Sequence, residues 1–101
     1  MSNKYFEAIE SPYLKDSYFI NYKDNFYNFI HFTDGSYRVY EARIFGLSFA
    51  DYLRMARDIY GATIQGKGHT YPMLYFNKKE EADKLAKDLE VRFKYLINNL
   101  S

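Results

Sequence analysis

The side chains best suited to chemistry are few and scattered. The chain has two histidines, His31 and His69, far apart in sequence, and no HExxH, GxSxG or Walker-type string accompanies either. His69 closes the turn Gly66-Lys67-Gly68-His69, where backbone N–H groups, a lysine and an imidazole could meet a phosphate. With Tyr71 nearby, these groups could in principle serve a metal-free nuclease. A hairpin turn that simply needs two glycines explains the same residues with less. His31, flanked by Phe29, Ile30 and Phe32, reads as a strand residue with a satisfied ring rather than a base or ligand. The carboxylates form no evident pair, and Asp34 belongs to an Asp-Gly turn. Without cysteine there is no disulfide framework, thiol chemistry or cysteine-bound zinc. The expectation is a protein that is not an enzyme and uses no cofactor or metal.

Aromatic content is the more informative signal. Twelve Tyr and nine Phe make up 21% of the 101 residues, with no Trp. An A- and T-rich coding sequence would give such a composition. Even so, a core of this size cannot hold every ring with its hydroxyl satisfied, so several tyrosines are expected at the surface, where they make effective interface residues. The net charge of +1 argues against a strongly electrostatic nucleic-acid or membrane binder. Basic residues nevertheless dominate the middle of the chain, with seven Lys and Arg against three acids over residues 38–79.

The elements that must position these groups follow from periodicity and turn signals. Asn3 to Glu10 reads as a short helix stopped at Ser11-Pro12. Ser17–Tyr22, Phe26–Thr33 and Ser36–Phe45 read as strands, the last two joined by Asp34-Gly35. Ser48, with Asp51 three positions on, caps a helix from Phe49 to Tyr60 that ends at Gly61. Ala62–Gln65 and Tyr71–Asn77 are two further strands. A final helix carries Ala82, Leu85, Ala86, Leu89, Phe93, Leu96, Ile97 and Leu100 on one stripe, with a solvated charged face opposite.

The predicted fold is a single α+β domain spanning residues 1–101. An antiparallel sheet of four to five strands has two helices packed on one face, in the order β-β-β-α-β-β-α. Alternation turns Phe26, Ile30, Phe32, Ile64, Leu74 and Phe76 toward the helices. It leaves Tyr27, Phe29, His31, Tyr71, Met73 and Tyr75 on the opposite face as the candidate partner-binding residues.

From Ala42 to Leu89 the strand, FADYLRMARDIYG, ATIQ, GKGHTYPMLYF and NKKEEADKLAKDL are similar in order to the core of RNA-recognition-motif domains, which would imply single-stranded RNA stacked on aromatic strands. The aromatic strand is interrupted by His69, Thr70 and Pro72, and no fourth strand follows the last helix, so no family is assigned.

The leading expectation is a regulator or inhibitor, of the kind phages and mobile elements encode, that grips an as yet unidentified protein partner through the tyrosine-rich face. The alternative is single-stranded nucleic-acid binding, with the rings stacking on bases and Arg38, Arg43, Arg54, Arg57, Lys67, His69 and Lys78 contacting phosphates. A homodimer burying the aromatic face is a third arrangement. Neither a secretory leader nor an apolar span of about 18 residues is evident, so the expected compartment is the cytoplasm, with no membrane association.

Overall fold

The computed structural model describes residues 5–11, 14–22, 37–66 and 73–100. Their elements run β1 (Phe6–Glu10), β2 (Tyr18–Tyr22), α1 (Tyr37–Ile44), α2 (Phe49–Asp58), β3 (Thr63–Gln65), β4 (Met73–Tyr75) and α3 (Lys79–Leu100). The chain is α+β, but among the described residues it has two small antiparallel strand pairs and three helices. This corrects the expected sheet of four to five strands carrying two helices.

Two segments account for the correction. Phe6 to Glu10, expected to be helical, alternates buried and partly exposed side chains and pairs with β2 from Phe6↔Tyr22 to Glu10↔Tyr18. Phe6 and Ala8 therefore share one face of a strand. Ser36 to Phe45, expected to be a strand, contains α1. Its end is a hydrogen-bonded cap: Gly46 N–H donates to the Arg43 carbonyl at 3.0 Å, and Leu47 N–H reaches back to that of Ala42 at 2.9 Å. That closure needs a left-handed residue, and Gly46 supplies it at φ 71°. Because Arg43 to Phe45 lies at this helix end, the first strand required by the RNA-recognition-motif likeness is absent.

The other expectations fare better. Ser48 caps α2, its Oγ accepting from the Asp51 N–H at 3.2 Å. β3 and β4 pair antiparallel from Thr63↔Tyr75 to Gln65↔Met73. The expected strand Phe26–Thr33 and the Asp34-Gly35 turn lie outside the described residues. Among the described residues one bridge joins the two strand pairs, with the backbones of Tyr18 and Phe76 exchanging reciprocal 2.8 Å bonds.

One core serves all the elements. Phe6, Ala8 and Ile20 from the first pair and Leu74 and Phe76 from the second meet Tyr52 and Ala56 of α2 and Ala82, Leu85, Leu89 and Phe93 of α3. Of the stripe that periodicity predicts for α3, Ala82, Leu85, Ala86, Leu89 and Phe93 are buried, whereas Leu96 is 40% exposed. Phe93 closes one end, edge-on to Tyr5 at 4.9 Å and to Phe6 at 5.6 Å.

A carboxylic acid is buried in this core. Glu41 of α1 is 0% exposed, and Oη of Tyr52 donates to its Oε1 at 2.5 Å. Burial pushes the Glu41 carboxyl up to about 8, while the Tyr52 hydrogen bond opposes the shift. The folded protein therefore holds a proton that the unfolded chain has released, between the ordinary carboxylate range and about pH 8. Stability is full below that window and falls as pH rises through it, by up to about 1.4 kcal/mol per pH unit, then levels off. Glu41→Gln keeps an acceptor for Tyr52 without the ionisation. Urea unfolding between pH 5 and pH 9 should show a flatter profile for this variant and a gain over the parent at the alkaline end.

Candidate partner-binding edge

In an antiparallel pair, alternate residues turn both backbone polar groups toward the partner strand and the others turn them away. Ser11 N–H bonds the Ser17 carbonyl at 2.8 Å, which fixes the phase for β1. Given the register, Glu7 and Ile9 face β2, while Phe6, Ala8 and Glu10 point outward. The same phase turns Tyr18 away from β1, where it makes its bridge to Phe76. Thus, among the described residues, β2 is paired on both sides and β1 is an edge strand.

One outward group is already satisfied. Oε1 of Glu90, on α3, accepts the N–H of Tyr5 at 2.7 Å and of Phe6 at 3.0 Å. Two charge-assisted bonds across most of the chain's length tie the start of β1 to the last helix. Oε2 of Glu90 is buried without a hydrogen-bond donor and lies 3.5 Å from Nζ of Lys94. Beyond this clamp, the outward groups of Ala8 and Glu10 have no hydrogen-bond partner among the described residues.

Phe6, Glu7 and Ala8 of β1 border a cavity of about 480 Å³ against α3. Phe6, Ala8 and Ala86 give it apolar walls, while Glu7, Asp83 and Glu90 on one side of the charge balance face Lys79 and Lys87 on the other. Lys79 is engaged with Asp83 at 3.4 Å. Val91 belongs to the same wall and is 63% exposed, and Tyr95, one turn along α3, is 68% exposed.

The residues singled out from sequence are placed as follows. Tyr27, Phe29, His31, Lys67, His69 and Tyr71 lie outside the described residues. Met73 and Tyr75 are on β4. Tyr75 is only 6% exposed and stands outside the cluster holding Leu74 and Phe76, in keeping with alternation. Arg38 and Arg43 fall on α1, Arg54 and Arg57 on α2, and Lys78 just before α3. Arg54 is paired with Asp51 at 3.2 Å and Arg57 with Asp58 at 2.8 Å, so neighbouring carboxylates already neutralise both α2 cations. The Arg57 hydrogen bond holds the Asp58 carboxyl below its ordinary range.

Sequence reasoning missed the β1 edge and Glu90. The signal for the edge was the alternation Phe6-Glu7-Ala8-Ile9-Glu10; Glu90 carries no local signal, because its partners lie at the other end of the chain. No family model, curated protein or solved structure matches this chain.

The clamp should be measurable. Glu90→Ala leaves two amides without their acceptor and is expected to lower the unfolding free energy by about 1–3 kcal/mol in urea. Glu90→Gln, which keeps a carbonyl acceptor, should lose less. A Glu90→Ala protein as stable as its parent would show that the carboxylate does not hold the strand.

Proposed function

We propose that this chain is a small non-catalytic binding protein, a regulator or inhibitor that works by engaging a protein partner. The observation that carries the reading is the edge of β1, where unpaired backbone polar groups, an open cavity and exposed Val91 and Tyr95 adjoin one another. Protein interfaces combine these features, with apolar anchors surrounded by polar groups that need complementary partners. The tyrosine-rich face remains part of the proposal, although Tyr75 is buried in the state described and so would not be the first residue a partner meets.

The nucleic-acid alternative draws less support. Arg54 and Arg57 are each held by a neighbouring carboxylate, and the cavity sets Glu7, Asp83 and Glu90 against Lys79 and Lys87, so it offers phosphates no net positive field.

Two measurements separate the readings. Lacking Trp, the protein reports ligands through its tyrosine fluorescence. Titration with single-stranded DNA and RNA oligonucleotides at low salt should give no saturable quenching. Selection of a random peptide library on the immobilised protein should converge on a related set of sequences. A library that fails to converge would overturn the proposal, and saturable quenching that weakens with added salt would then put nucleic acid in its place.

A further inference from the structure

From the β1 edge we infer the form of the partner: an extended peptide segment that adds to β1 as a new strand and seats a side chain in the cavity against α3. This rests on the protein-binding reading above and specifies how recognition occurs.

The backbone supplies the first argument. Ala8 and Glu10 present N–H and C=O groups outward at the two-residue repeat of a strand, about 6.6–6.8 Å. Another extended backbone is the chemical group that offers donors and acceptors at that repeat, and edge strands are templates for it. Neither a helix nor a sugar-phosphate chain matches it, since a helix satisfies its donors internally and phosphates bring acceptors alone.

The cavity supplies the second argument. Its volume of about 480 Å³ falls within the range of ~300–1,000 Å³ typical of ligand pockets. Its walls pair apolar surface from Phe6, Ala8, Ala86 and Val91 with carboxylates and lysines in near balance. Such a lining suits the mixed polarity of a peptide and disfavours a strongly anionic guest. Glu90 fixes where the open repeat begins: its Oε1 is committed to Tyr5 and Phe6 and its Oε2 lies 3.5 Å from Nζ of Lys94, so the first outward groups left for an incoming strand are those of Ala8.

The experiment uses a peptide recovered by library selection, first scanned by N-methylation one amide at a time, then measured against Val91→Arg protein. Strand addition predicts that N-methylation weakens binding by about tenfold or more at alternate positions and little at those between, because only every second amide bonds β1. Val91 is exposed, so Val91→Arg should fold normally, as checked by its urea midpoint, while weakening the peptide by a similar factor through a blocked cavity. Converged peptides whose N-methyl scan lacks the two-residue period, or whose affinity ignores Val91→Arg, would overturn this inference and leave protein binding standing. A library that fails to converge would overturn both.

Discussion

The stripe Leu85, Leu89 and Phe93 on α3 is the constraint on which the rest of the structure depends. An isolated pair of strands is at best marginal in water, and among the described residues there are two, of five and three residues per strand, joined by one bridge. Each needs a face to bury. α3 supplies it, with Leu85 and Leu89 fully buried and Phe93 nearly so, at roughly 1.5–3 kcal/mol of favourable burial per side chain. Glu90 follows Leu89, beside the buried stripe and toward the strand edge, which is why its carboxylate meets the amides of Tyr5 and Phe6. Packing of the helix and placement of the edge are one arrangement.

Polar groups inside this framework are handled by tyrosine. Tyr52 donates to buried Glu41, and Tyr60 donates to Asp88 of α3. Burial and the Asp88 carboxylate together push the Tyr60 hydroxyl up to about 12, so it keeps its proton and remains a donor. Tyrosine suits this role because its ring fills apolar space while its hydroxyl reaches an acid that would otherwise be stranded. Part of the unusual tyrosine content thus serves the interior, through Tyr52, Tyr60 and Tyr75, while Tyr95 stands in solvent.

Legibility in the sequence followed how local each signal was. α2 was readable because its cap at Ser48, its apolar spacing and its stop at Gly61 all lie within one short segment. The α3 stripe was readable for the same reason. α1 is hard to read from sequence because Tyr37 to Phe45 mixes β-branched and aromatic residues with helix formers, and its stop at Gly46 lies only two residues before the Ser48 cap of the next helix. β1 was misread because Ser11-Pro12 stops a strand as readily as a helix. The candidate edge depends on register, on the Tyr18–Phe76 bridge and on a carboxylate from α3, none of which leaves a trace in neighbouring residues.

Among the described residues β1 is paired on one side and held in place by α3, and the proposed peptide adds at its outer edge. Residue-resolved amide hydrogen exchange of the unliganded protein tests this most directly. Amides of Glu7, Ile9 and Ser11, which face β2 or the turn, should exchange slowly, and those of Ala8 and Glu10 much faster, giving a two-residue alternation along β1. Uniform protection from Glu7 to Ser11 would show that the outer edge is already occupied and would contradict the account.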